Sequence, residues 1–351
     1  MSATSTTPGR PGPDLDLGGS GGLRERLGSW QDALRSQSSG KRGVVLSVLA
    51  LLVLIVYFWI KEPNFLGTQN LTVMMGQAGP LLIISLGATF VILMGSIDLS
   101  VGAVATLAGA VGALLITNDG WSTWPVIVAC VAAGSAAGLM NAILSTWIKL
   151  PSFIVTLGTM SIFTGITLHL LGGKALLLTN IGFTELATKQ TIKYVPNVML
   201  VAFLLWLAFI FINQRTRFGR YITAIGAGEK VAELSGIRVT RFKTMAFVFS
   251  GATAALGGVF LLSRLGSATP DLASNYLLNV IAAIVVGGTA LTGGVGGASR
   301  TLLGVALITV LSDGLNVTGV SPFTQEIVTG GVVILAILVT IDRKRMQGIV
   351  K

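Results

Sequence analysis

The sequence predicts an all-α integral membrane protein of about ten transmembrane helices, with both ends in the cytoplasm. Three observations carry this. Of 351 residues, 52% are hydrophobic and only 11% are charged, against roughly 25% charged in an average soluble domain. The mean hydropathy is +0.81, more apolar surface than a soluble fold of this length can hide. Charge-free windows of about 20 residues, the length that crosses about 30 Å of hydrocarbon as a helix, recur along the chain.

Residues 1–42 read as a cytoplasmic tail. Gly, Ser, Thr and Pro make up 21 of the first 40 residues, too little apolar material to fold alone. It is not a signal peptide, because the first apolar run starts only at Gly43. Leu23, Leu27, Trp30 and Leu34 share a helical face beside Arg24, Arg26 and Arg35. That stretch reads either as loose tail or as a short helix lying on the cytoplasmic leaflet.

The membrane domain spans 43–342. Its apolar segments are 43–60, 71–94, 99–117, 123–147, 153–171, 195–213, 244–263, 276–293, 300–316 and 323–341. The fourth is long enough to tilt or protrude. Gly293-Gly294 and Gly296-Gly297 leave the eighth and ninth open to interruption. A basic end, 343–351, closes the chain. With the N-terminus inside and the spans alternating, nineteen Lys and Arg fall inside and five outside. A missed span would flip every later loop and spoil that asymmetry, so the positive-inside rule supports ten spans.

Composition also narrows the chemistry. The formal charge of +10 is clustered in loops and tail, which points to topology and an anionic membrane surface, not nucleic acid. Cys130 and His169 are the only residues of their kinds, so no internal disulfide and no Cys/His zinc site is expected. A Ser-His-Asp triad would need His169, which sits in an apolar run. No P-loop is present: Gly40-Lys41 is followed by Arg42, with Arg35 at the upstream glycine position, and Gly173-Lys174 is followed by Ala175. No cofactor and no metal are expected.

Glycine is abundant, and small residues let helices approach closely in lipid. Gly134 with Gly138, and Ala254 with Gly258, read as ordinary packing pairs. A shift of 195 residues matches Gly102, Ala103, Thr106, Leu107 and Gly109 to Gly297, Ala298, Thr301, Leu302 and Gly304. The two copies would share one orientation, so the echo is a parallel repeat, a miscounted span, or chance.

Two segments carry function. Gly95 to Gly102 interrupts two apolar runs with Asp98, Ser96 and Ser100. A charge near the bilayer centre costs about 2.5–3.5 kcal/mol. Asp98 therefore caps the next helix, as Ser100 also could, lines a polar path, or carries a proton. The basic loop 214–243 contains Glu229-Lys230-Val231-Ala232-Glu233-Leu234-Ser235, a short helix between Gly228 and Gly236. Glu229 suits the helix N-terminus and Gly236 its C-terminal end. Val231, Leu234 and Ile237 form a small apolar stripe. So short a helix is marginal alone in water; it is either a solvated connector or a docking element for a cytoplasmic partner.

The runs Gly95 to Gly102, Leu150 to Thr159, Gly219 to Gly226 and Leu234 to Ile237 are similar to those of the ribose-type permeases. So are Ala282 to Thr289, Leu291 to Gly294, and Leu315-Asn316 followed by Gly319-Val320. These are the membrane subunits of ATP-binding-cassette importers for monosaccharides. The likeness covers roughly residues 43–342 in the same order. It implies a cytoplasmic coupling helix at about 228–236, with Gly226, Glu229, Lys230, Ala232, Glu233, Leu234, Gly236 and Ile237 as its working residues. It implies a separate cytoplasmic ATPase, an extracytoplasmic sugar-binding protein, and a second permease subunit, either a copy or a close relative, in the plasma membrane. The chain departs from the family where Ala227-Gly228 replace the usual Gly-Asn, and in its longer N-terminal tail.

Polar residues in the spans are the candidates for a sugar path: Asp98, Ser100, Asn141, Thr156, Asn279 and Asn316. Each is also open to a helix-packing role. His169 reads as interfacial, and Asp313 as facing water at the outer end of its span. The loop Gly172 to Tyr194 is the largest on the outside and the candidate surface for a binding protein. The expected function is passage of a monosaccharide, ribose-like pentose or hexose, with no covalent chemistry on this chain. The rivals are an ion-coupled secondary transporter of a small polar solute, using Asp98 or Asp313, and a membrane-embedded enzyme.

Overall fold

The computed structural model describes residues 43–340, with side chains through Ala336. The tail face at Leu23–Leu34 and the basic end 343–351 lie outside the described residues. Each of the ten apolar segments contains a helix, the eighth only in part. Helix α1 is Gly43–Lys61, α2 Thr68–Leu93, α3 Val101–Thr117, α4 Thr123–Ala142 and α5 Ser152–Leu171. A short helix, α6 Ile181–Thr188, precedes α7 Asn197–Arg215. Two short helices, α8 Arg217–Ala227 and α9 Glu229–Leu234, lead to α10 Val239–Leu265. The last three are α11 Tyr276–Val286, α12 Ala298–Val317 and α13 Pro322–Thr340. Seven of these helices are long and apolar enough to cross a membrane: α1, α2, α4, α5, α7, α10 and α12. Helix α4 reaches its full length through a π turn over Ile143–Trp147.

Helices α2 and α10 form the buried centre, and α10 packs against α2, α3 and α4. The Gly134/Gly138 pair faces α10. Gly134 lies against Gly251 and Ala255, and Gly138 against the backbone of Phe247 and Val248. The motif therefore serves packing within this chain, where missing Cβ atoms bring two backbones together.

The expected span 276–293 is a correction. Helix α11 has 11 residues, about 16 Å at 1.5 Å per residue, too short for about 30 Å of hydrocarbon. It ends at Val286 because the glycine-rich connection that follows turns through positive φ, as at Gly288 (93°) and Gly293 (81°). Its start is displaced inward. The non-helical chain between α10 and α11 runs inside the bundle, where Leu272 and Ala273 are buried. The Ala273 N–H donates to the Thr106 hydroxyl at 3.1 Å. Gly109 and Gly102 of α3 give Leu272 and the Ala273 carbonyl their space. Irregular backbone at membrane depth is tolerated where protein buries it or where it lines a watery cavity. Helix α12, by contrast, is continuous.

On the side of α2's N-terminus, α6 lies across the end of α10. The Ser263 hydroxyl donates to the Phe183 carbonyl at 2.7 Å and accepts from the Ala187 N–H at 2.9 Å. A two-residue antiparallel pair, Leu176–Leu177 with Ser267–Ala268, pins the same loop.

Candidate functional site

The site is built on the face where α8 and α9 leave the bundle. Helix α8 forms because Thr216 caps it, its hydroxyl accepting from the Gly219 N–H at 3.4 Å. Phe218, Ile222 and Ile225, spaced i, i+4, i+7, bury one face. Phe218 meets Phe90 of α2 edge-on at 5.3 Å and Phe249 of α10 at 5.5 Å. Phe90 stacks on Phe209 of α7 at 4.8 Å. Such ring pairs add about 0.5–1.5 kcal/mol each beyond their area, so α8 is anchored to three long helices.

Helix α9 is the short helix expected from the sequence. Gly236 takes φ +82° just past it. The Gly236 N–H donates to Glu233 and the Ile237 N–H to Ala232, at 3.0 and 3.1 Å. This pair of bonds is a Schellman ending, which needs a left-handed residue where glycine stands. Ala232 is buried, whereas Val231 is 69% and Leu234 77% exposed. Ile237, expected on the same stripe, is half-buried against the core. Lys243 of α10 donates to Glu229 at 2.7 Å, and Lys230 to Glu233 at 3.1 Å.

Gly226, at the end of α8, lies against the Leu93 carbonyl and the Gly294 amide. The Gly294 N–H itself donates to the Leu93 carbonyl at 2.8 Å. One contact thus joins α8, the end of α2, and the connection between α11 and α12. The Asn213 carboxamide oxygen accepts from the Ala298 N–H at 3.2 Å, and the Trp206 indole donates to the Ala298 carbonyl at 2.9 Å, tying α7 to the start of α12.

Four of the six path candidates meet in one buried region. Asp98 Oδ1 accepts from the Ser100 N–H (3.0 Å) and hydroxyl (2.6 Å), and Oδ2 accepts from Ser250 of α10 (2.8 Å). Asn141 of α4 donates to Ser100 at 2.8 Å and accepts from Thr159 of α5 at 2.7 Å. The Thr156 hydroxyl reaches the Ile97 carbonyl at 3.3 Å. Ser100 holds the N-cap position of α3, but its hydroxyl serves Asp98 instead of capping. Asn279 is half-buried and Asn316 exposed, both outside this cluster. Asp313 does not face water: it is 1% exposed and accepts from Asn70 of α2 at 2.8 Å. The C-terminal end of α12 packs against the first turn of α2, which hydropathy along one segment does not reveal. His169 is exposed near the end of α5.

Sequence reasoning missed Ser250, Thr159, Lys243 and helix α8. The Phe218/Ile222/Ile225 spacing after Thr216 was a readable signal for α8. Nothing local marks Ser250, which lies 152 residues from its partner Asp98.

Seven helices long and apolar enough to span, with an exposed short helix fixed to them, define a multi-pass membrane protein. The family described as branched-chain amino acid transport system / permease component matches residues 70–337. The ribose import permease protein of Bacillus subtilis is 40% identical over 302 residues, covering 85% of this chain and 92% of that protein. The galactose/methyl galactoside import permease protein of Salmonella typhimurium is 34% identical, over 85% and 93%. The D-allose transport system permease protein of Escherichia coli is 34% identical, over 84% and 89%. The chain belongs to this permease family, in its ribose-type branch of ATP-binding-cassette importer subunits.

Proposed function

We propose that this chain is the membrane-spanning subunit of an ATP-binding-cassette importer that passes a monosaccharide, a ribose-like pentose or a hexose, into the cytoplasm. The observation that carries the reading is α9. It turns Val231 and Leu234 outward while Glu229 ties it to α10, and Gly226, just before it on α8, abuts the end of α2 and the connection that leads to α12. A partner ATPase gripping that face would move it, and the rigid links would carry the motion into the bundle. The family description alone leaves open amino acids or sugars; the three relatives, named for ribose, galactose and allose, favour sugars.

In this reading ten helices cross the plasma membrane, counting α11 together with the inward chain before it. Both termini, 1–42 and 343–351, are cytoplasmic, as the positive-inside count supports. Gly226, Glu229, Lys230, Ala232, Glu233, Leu234, Gly236 and Ile237 form the coupling element. Asp98, Ser100, Asn141 and Thr156 brace the helices around the path, while Asn279 and Asn316 line it. An extracytoplasmic sugar-binding protein docks on the 172–194 loop, and a second permease subunit completes the channel.

The test is gentle purification of the tagged chain from its own membrane, with mass spectrometry of what accompanies it. A stoichiometric P-loop ATPase is expected. A chain that emerges alone, and drives proton-linked uptake in liposomes without ATPase, refutes the reading.

A further inference from the structure

We propose that the non-helical chain between α10 and α11, with the first turn of α11, forms the sugar-hydroxyl binding element of the transport path, through Asp271, Ser274, Asn275 and Asn279. This rests on the permease reading above.

Helix α3 measures the depth. Leu272 packs on Gly109, eight residues before α3 ends at Thr117, and Ala273 bonds to Thr106, eleven residues before that end. At 1.5 Å per residue these points lie about 12 and 16 Å inside the helix end. The segment therefore sits at membrane depth, not on the rim. Its apolar side chains, Leu272 and Ala273, turn into the bundle and are buried. Asp271, Ser274 and Asn275 turn the other way and are exposed, with half-buried Asn279 one helical turn beyond Asn275.

Exposure to lipid is not a tenable state for these groups. An ionised carboxylate facing hydrocarbon is costly, and among the described residues no hydrogen bond or ion pair holds that of Asp271. Non-helical backbone at this depth is tolerated when it lines a water-filled cavity. Interrupted helices near mid-depth are also where transporters build substrate sites. The four groups suit a neutral polyol. A carboxylate accepts from two neighbouring hydroxyls, and a serine hydroxyl and two carboxamides both donate and accept.

The test uses the complete importer in membrane vesicles. Ser274→Cys and Asn275→Cys are made singly; the native Cys130 is fully buried and stays silent toward a membrane-impermeant thiol reagent. Asp119→Cys, in the exposed turn after α3, serves as a control. Ribose, galactose and allose are supplied with the binding protein, and uptake is followed in parallel. Cysteines at 274 and 275 should react, and a transported sugar at ten times its half-saturating concentration should slow them about tenfold, with position 119 unaffected. Asp271→Asn should lower sugar uptake about tenfold or more, since it removes one acceptor from a diol site, while the ATPase still co-purifies. Unreactive cysteines, or equal labelling with and without sugar while ATP-driven uptake proceeds, would overturn the proposal and leave the permease reading standing. Absence of ATP-driven uptake of all three sugars by the parent would remove the permease reading itself, and this proposal with it.

Discussion

A methyl group on Gly226 would meet the Gly294 amide nitrogen at 2.5 Å and collide with the Leu93 carbonyl. All the atoms in the way are backbone, so no side-chain rotation relieves the clash. The end of α8 and the two connections beneath it are therefore held as one piece.

Gly226→Ala should force these segments apart. Overpacking of this kind costs about 1–3 kcal/mol, visible as a lower unfolding temperature of the purified chain in detergent. Less sugar should also be moved per ATP hydrolysed. A variant with unchanged stability and unchanged stoichiometry would mean the junction is slack.

The Glu229–Lys243 pair should matter for coupling more than for stability. Glu229 is half-exposed, so the pair contributes at most about 1 kcal/mol to folding. Glu229→Lys or Lys243→Glu alone should uncouple ATP hydrolysis from uptake, and the double swap should restore coupling. Measuring ATP used per sugar imported in the single and swapped forms reads the interaction directly.

Val231 and Leu234 make no contribution to the core of this chain. Val231→Asp and Leu234→Asp should change stability by no more than about 0.5 kcal/mol and yet release the ATPase during purification. Retention of the partner by both variants would move the docking face elsewhere.

Asp98 is expected to act as a brace. Asp98→Ala leaves the Ser100 and Ser250 hydroxyls without their shared acceptor, a loss of about 1–3 kcal/mol per buried group. Thermal unfolding should record it. Asp98→Asn keeps acceptor capacity and should retain ATP-driven uptake, whereas a proton-carrying Asp98 would lose transport outright on the same change.

The parts legible in the sequence are those encoded by short-range pattern. Hydropathy located the seven helices long and apolar enough to span, because burial in lipid demands an unbroken apolar run. The capped helix at Glu229 was readable because Gly236 supplies the left-handed turn within one segment. The interrupted entry to α11 was not legible as such. Its cause is that Leu272 and Ala273 find glycines on α3, a match between residues more than 150 positions apart. Gly293-Gly294 marked the interruption at the far end of that helix, but nothing local marked the one at its start. The Asp98 cluster was half legible: the polar residues stood out, but their convergence depends on α3, α4, α5 and α10 meeting. Asp313 seemed a surface group because its partner Asn70 lies on a helix read separately.

In the proposed function, ATP hydrolysis on a partner, working through α9, drives sugar across this chain. The most direct measurement is uptake of labelled sugar into proteoliposomes holding this chain with its ATPase, the binding protein outside and ATP inside. Uptake that requires ATP and the binding protein, is indifferent to a pH gradient, and is lost with Leu234→Asp is the predicted result. Uptake that follows the pH gradient and proceeds without ATPase would contradict the account.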